Sequence, residues 1–132
     1  MLDHLGVNVP DLPRAKDYYD AIMPVLGFEP FFITEKEFSY KPAGGKPGTT
    51  IFFYIAREES DYSRWQDGLQ HLAFRARSRA EVDAAHEKAI ELGSEIIRTP
   101  RLFPRFHENY YATFWYDPHR FMLEMVCNRP PE

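Results

Sequence analysis

Two histidines hold matching places in this chain. His4 is the third residue of Leu2-Asp3-His4-Leu5, and His71 is the third of Leu69-Gln70-His71-Leu72, 67 positions further on. Glu124 stands within Met122-Leu123-Glu124-Met125-Val126, a carboxylate in an otherwise apolar run. Burying a lone carboxylate is costly unless it is paired or binds a metal. Two imidazoles and one carboxylate turned into a single cavity would form a facial triad for a divalent metal, with coordination positions left open. The same residues admit plainer roles. His4 and Glu124 would also suit a strand-edge ion pair, and a register shift of one residue would turn Glu124 to solvent.

Elements able to position these groups recur in the same order in each half. Leu2 to Val9 alternates like a strand, and Pro10-Asp11 stops it. Leu12, Ala15, Tyr18, Tyr19, Ile22 and Leu26 recur at helical spacing, so Asp11 to Leu26 reads as an amphipathic helix. Pro24 should kink or loosen its last turn, and Gly27 is a natural stop. Residues 28–34, 35–41 and 49–56 read as strands, with a Pro/Gly-rich loop at 42–48. Residues 57–68 connect the halves. The second half then offers a strand at 69–77 and a helix opened by a Ser78…Glu81 capping box. Val82, Ala85, Ala89 and Leu92 form the apolar stripe of that helix. A strand at 94–98 and a basic, Pro-rich loop at 99–109 follow. Strands at 110–116 and 121–126 are joined by the turn Asp117-Pro118-His119-Arg120. Residues 128–132 read as a tail. The expected fold is α+β, with two βαβββ modules, at about 1–60 and 68–127, making one domain over 1–132. A module of this kind buries only one face of its sheet, so two must pair, within the chain or between chains.

Composition narrows the function classes. With 132 residues, 44% of them hydrophobic, the chain can fill a core. A net charge of −4 and the absence of a basic run argue against nucleic acid as a partner. The single Cys127 cannot form an intrachain disulfide or a cysteine-rich zinc site. No apolar stretch approaches the roughly 20 residues that span a bilayer. The N-terminal residues show no signal-peptide pattern, so a cytoplasmic location is expected. Aromatic residues reach 16%, enough to line a pocket as well as a core.

Several segments together resemble the vicinal oxygen chelate superfamily, which holds glyoxalase I, fosfomycin-resistance proteins, bleomycin-binding proteins and extradiol dioxygenases. They are Leu2-Asp3-His4-Leu5-Gly6-Val7-Asn8-Val9, Tyr18-Tyr19 before Leu26-Gly27-Phe28, Leu69-Gln70-His71-Leu72-Ala73-Phe74, and Phe114-Trp115-Tyr116-Asp117-Pro118 leading to Leu123-Glu124. The resemblance covers almost the whole chain. It implies paired βαβββ modules curled round one divalent metal ion (Fe, Mn, Zn, Ni or Mg) and ligated by His4, His71 and Glu124. It also implies a small-molecule substrate with neighbouring oxygens, and a homodimer. Glyoxalase I adds an acid at the end of the fourth strand, and counting along Ile51-Phe52-Phe53-Tyr54 places that position near Phe53, which cannot act as a base. The two-His, one-Glu set is more like the extradiol dioxygenases and fosfomycin-resistance enzymes. The dioxygenases carry a substrate-facing Tyr near Phe114 and a further His, for which His107 is the nearby candidate. The family's turn reads Asp-Pro-Asp-Gly, whereas this chain has His119-Arg120 in place of the Asp-Gly. A glyoxalase-like lyase, a thiol transferase and a metal-free binding protein are the alternatives to a dioxygenase.

Other residues surround that triad in the expected site. Tyr111 is the expected polar group facing the substrate, with Phe53, Tyr54, Trp65 and Phe114 as pocket lining, although strand aromatics in a small protein are more often plain core. Arg105, His107 and Glu108 fall in a Pro-flanked loop that would serve as a lid or simply lie solvated.

Overall fold

The computed structural model describes residues 1–131, so the end of the expected tail, Glu132, lies outside the described residues. The chain divides into two compact units, Met1–Asp61 and the remainder from Tyr62. Each unit is a strand, a helix and three further strands forming one four-stranded sheet.

In the first unit β1 (His4–Val9) leads into α1 (Leu12–Ile22). The Asp11 carboxylate caps this helix by accepting from the Arg14 amide at 3.1 Å. The helix ends at Ile22, earlier than the expected Leu26. Pro24 has no amide hydrogen to continue the ladder, and residues 23–27 form tight turns that close on Gly27, whose φ is +89°. β2 (Phe28–Ile33), β3 (Glu37–Pro42) and β4 (Thr50–Ile55) complete the sheet in the order β1-β4-β3-β2, with β1 parallel to β4. Ala15, Tyr18, Tyr19 and Ile22 form the buried stripe of α1. Tyr19 packs on Phe53 with ring centroids 4.3 Å apart, and Phe38 stacks on Phe53 at 5.0 Å. Phe53 is fully buried and belongs to the aromatic core of this unit.

The second unit repeats the plan with β5 (Leu72–Arg75), α2 (Arg79–Glu91), β6 (Ile96–Leu102), β7 (Tyr111–Tyr116) and β8 (Met122–Cys127), in the sheet order β5-β8-β7-β6. Ser78 Oγ accepts from the Glu81 amide at 3.3 Å, whereas the Glu81 carboxylate takes Arg77 instead of closing the capping box. Val82, Ala85 and Ala89 bury the helix face, and Trp115, Leu123 and Met125 are buried within the sheet. β8 lies between β5 and β7, and all six of its residues are buried.

Two expectations change here. β5 begins at Leu72, so His71 stands just ahead of the strand. β6 runs on to Leu102, through residues expected to be loop. Pro100 is tolerated because β6 is an edge strand and its pairing is already irregular. Ile96 pairs with Trp115, Arg98 with Phe114 and Arg101 with Ala112, so the ladder takes an extra β6 residue twice. Thr113 Oγ1 donates to the Arg98 carbonyl at 2.8 Å, satisfying an acceptor beside the bulge.

The turn at 117–120 closes without glycine. Arg120 adopts φ +69°, a left-handed conformation unfavourable for a side-chain-bearing residue. The buried Asp117 carboxylate compensates by accepting from the amides of His119 (2.8 Å) and Phe121 (2.9 Å).

Candidate active site

Alternation along β7 and β8 sorts their side chains onto two faces. Leu123, Met125, Thr113 and Trp115 are fully or almost fully buried, and Tyr111 shares the parity of Thr113 and Trp115. Met122, Glu124, Tyr110 and Phe114 turn the other way and line a cavity of about 590 Å³ in the second unit. Phe114 pairs directly opposite Glu124.

Glu124 is only 2% exposed. Its Oε1 lies 3.4 Å from His71 Nε2, and its Oε2 accepts a short hydrogen bond from the Tyr110 hydroxyl. Burial pushes the carboxyl above the usual carboxylate range, against the opposing pull of Tyr110 and His71. Tyr110 is itself pushed well above an ordinary tyrosine, first by burial and then by Glu124, so its hydroxyl keeps its proton.

Both candidate histidines are oriented by the residue before them. His4 Nδ1 lies 2.7 Å from Asp3 Oδ2, and His71 Nδ1 makes a short bond with Gln70 Oε1. A carboxylate and an amide oxygen can only accept, so Nδ1 carries the hydrogen in each case and Nε2 is the nitrogen left for another partner. This is the arrangement in which outer partners fix a metal-binding imidazole. Two ligand atoms about 2.1 Å from a tetrahedral ion are separated by about 3.4 Å, and the His71 Nε2–Glu124 Oε1 distance matches that separation. The donor set His71–Glu124 therefore fits a divalent ion. Among the described residues no group of three His, Cys, Asp or Glu side chains gathers as a metal cluster. His4 belongs to the first unit, where its ring meets Phe52 edge-on at 5.5 Å.

The remaining expected site residues fall in different places. Tyr111 does not face the cavity. Its hydroxyl donates to Asp83 of α2 at 2.7 Å, and Arg79 lies over its ring, because it has the parity of the helix-facing residues. The tyrosine beside the carboxylate is its neighbour Tyr110. Alternation back from Phe114 could have found it: Phe114, Ala112 and Tyr110 share a face. Phe53 is core under α1, as described, and therefore does not line a pocket. Tyr54 stacks on Phe52, on the opposite face of β4. Trp65 is 75% exposed and lies under the Arg64 guanidinium at 3.9 Å rather than in the cavity. His107 Nδ1 accepts from the Asn109 amide at 3.0 Å within an exposed turn, whereas its neighbours Arg105 and Phe106 reach the cavity. Sequence reading also passed over Arg64, Arg98 and Arg101, which line the cavity as well. The only sequence signal for the last two is a basic, Pro-containing stretch beside a strand.

Two βαβββ units, the second with a His–Glu pair on the cavity face of its sheet, define the class of fold. The chain belongs to the glyoxalase/bleomycin resistance protein/dioxygenase superfamily, whose family model matches residues 1–125. It is 28% identical over 129 residues to the uncharacterized protein YqjT of Bacillus subtilis, covering 96% of this chain and 98% of that one. A presumed glyoxalase from Bacillus halodurans is 30% identical, with a TM-score of 0.78 over 96% of this chain and 95% of the other. The fosfomycin resistance protein FosX of Listeria monocytogenes, 24% identical, shares the fold with a TM-score of 0.67 over 98% and 93% of the two chains.

Proposed function

We propose that this protein is a divalent-metal-dependent enzyme acting on a small molecule with neighbouring oxygens. His71 and Glu124 are two of the ligands, and His4, from the same chain or from a second copy, is the third. The observation that carries the reading is the matched orientation of the two histidines: each has Nδ1 tied to the preceding side chain, which leaves Nε2 as the nitrogen available to a metal, in His71 the one that faces Glu124. A bound ion would act as a Lewis acid on two substrate oxygens, or would hold oxygen beside the substrate if it is iron.

The protein's own groups supply the rest. Tyr110 holds Oε2 of Glu124 and so directs Oε1 towards His71. Its protonated hydroxyl is the hydrogen-bond donor next to the ligand carboxylate. Phe114 and Phe103, packed edge-to-face at 5.4 Å, give the cavity an apolar wall that excludes water. Two His and one Glu favour a dioxygenase-like reaction over a glyoxalase-type isomerisation, for which the first unit offers Phe52 rather than an acid at the register of Glu124. No helix among the described residues is long and apolar enough to cross a membrane; we place the protein in the cytoplasm, as a homodimer.

Elemental analysis of the purified protein tests the reading. About one divalent ion per chain is expected, with its loss in His71→Ala. Iron would favour oxygen chemistry, and nickel, zinc or manganese isomerisation or group transfer. A metal-free protein that also fails to take up added metal refutes the proposal.

A further inference from the structure

The cavity beside Glu124 carries more positive charge than the metal reading requires. Four arginines line it: Arg64, Arg98, Arg101 and Arg105. Glu124 is the one carboxylate in the lining, and His71 and Tyr110 already engage it. Among the described residues, none of the four arginines forms an ion pair. The chain as a whole has a net charge of −4, so this is a local reversal of sign, and a concave wall focuses such a field.

Two features show how the arginines reach one place. Arg98 and Arg101 are three residues apart on β6 and would point to opposite faces of a regular strand. The bulge between them sets Arg98 opposite Phe114 and Arg101 opposite Ala112, two residues of the cavity face of β7. The irregularity in β6 thus delivers both cations to one side. Three guanidiniums are also stacked on aromatic rings: Arg101 over Phe103 at 4.7 Å, Arg105 over Phe106 at 4.6 Å, and Arg64 over Trp65 at 3.9 Å. A stacked guanidinium spends its face on the ring and keeps its in-plane N–H donors for an oxyanion. Arg64 Nε uses one of its donors on the Tyr116 hydroxyl at 3.2 Å, and Arg98 uses one on the Ile97 carbonyl at 2.8 Å.

We propose that the arginine-lined cavity selects a small organic oxyanion, a phosphate monoester or a carboxylate on an apolar body, through Arg98 and Arg101 with Arg64 and Arg105 at its margin. The apolar body lies against Phe103, Phe106 and Phe114. This inference takes from the proposed function that the cavity is the substrate site, but it does not need the metal to be present.

Calorimetric titration of the purified protein with phenyl phosphate, benzoate, benzyl alcohol and inorganic phosphate tests it. Phenyl phosphate or benzoate should bind at least about tenfold more tightly than neutral benzyl alcohol and than inorganic phosphate, and more weakly as salt rises. The exposed pair substitution Arg98→Gln/Arg101→Gln should weaken anion binding about tenfold or more with an unchanged circular dichroism spectrum, whereas Arg77→Gln should leave it alone. His71→Ala separates the two readings. If His71→Ala keeps the anion affinity and the arginine variant loses it, the arginines are the anion site whatever the metal content. Benzyl alcohol binding as well as the anions, or an arginine variant that binds them unchanged, overturns the proposal. Inorganic phosphate binding as well as phenyl phosphate overturns the role of the aromatic wall.

Discussion

Replacing Tyr110 and Tyr111 separately by Phe distinguishes two adjacent tyrosines that the sheet sends to opposite faces. In Tyr110→Phe, Oε2 of Glu124, a residue only 2% exposed, loses its donor. A hydrogen bond to a charged group contributes about 1.5–3 kcal/mol. A urea m-value of about 1.5–2 kcal/mol/M for a chain of this size converts that to a fall of roughly 1 M in the unfolding midpoint of the metal-free protein. Protonation of Glu124 would absorb part of the loss, so the fall should be smaller at pH 5 than at pH 7. Tyr111→Phe removes a bond to Asp83, which is exposed, and should cost no more than about 1 kcal/mol. The contrast should be larger in metal affinity, measured by competition with a chromophoric chelator. Loss of a group that orients a ligand weakens binding by about 10–100-fold, so Tyr110→Phe should show that loss and Tyr111→Phe almost none. Equal effects of the two variants, or a larger effect of Tyr111→Phe, would refute the assignment of faces and with it the role of Tyr110.

Two further outcomes concern the scaffold. Tyr40 is buried and donates to Asp20 at 2.7 Å; burial, then that bond, holds its hydroxyl far above the ordinary value. The unfolded chain releases this proton near pH 10 while the folded chain keeps it, so the stability it contributes is intact below about pH 10 and falls above it by about 1.4 kcal/mol per pH unit. Melting temperatures measured from pH 8 to 11 should decline less steeply for Tyr40→Phe; an identical decline would show that another group governs the alkaline limb. Asp117→Ala strips two amides of their buried acceptor beneath a left-handed Arg120 and should destabilise the protein by about 2–3 kcal/mol in urea unfolding, with a change under 1 kcal/mol counting against the compensation argued for this turn.

The duplicated order of elements was legible in the sequence because it rests on helical spacing, caps and turn residues that act locally. The stripe Ala15, Tyr18, Tyr19, Ile22 and the Ser78 cap appear where periodicity and hydrogen-bonding chemistry put them. Less legible was everything that depends on pairing. β6 continues through Pro100 because an edge strand asks little of its outer amides, a property of sheet order rather than of the residues themselves. Tyr110 rather than Tyr111 faces the cavity, as strict alternation from Phe114 requires. Arg98 and Arg101 could not be assigned to one face without the bulge, since three residues apart on a regular strand means opposite faces. Glu124, by contrast, was conspicuous: a carboxylate in an apolar run implies a partner, and His71 and Tyr110 supply two.

Register also explains how two similar units come to differ in chemistry. In the second unit, the residue two beyond the histidine, Ala73, pairs with Glu124 of β8. In the first, the residue two beyond the histidine, Gly6, pairs with Phe52 of β4. Phe52, not the expected Phe53, is therefore the counterpart of Glu124; Phe53 lies one residue further along, on the core face. The distinction matters because the two positions obey different constraints. Phe53 is fixed by its packing against Tyr19 and Phe38, so an acid there would be buried without a partner in the aromatic core. Phe52 sits on the other face, with its ring against His4 and Tyr54, where a carboxylate would meet an imidazole as Glu124 does. With Phe52 at this register, the first unit has an aromatic ring where the second has its acid. This leaves His4 oriented by Asp3 alone and concentrates the charged chemistry of the chain on the face that carries Glu124, Tyr110 and the arginines.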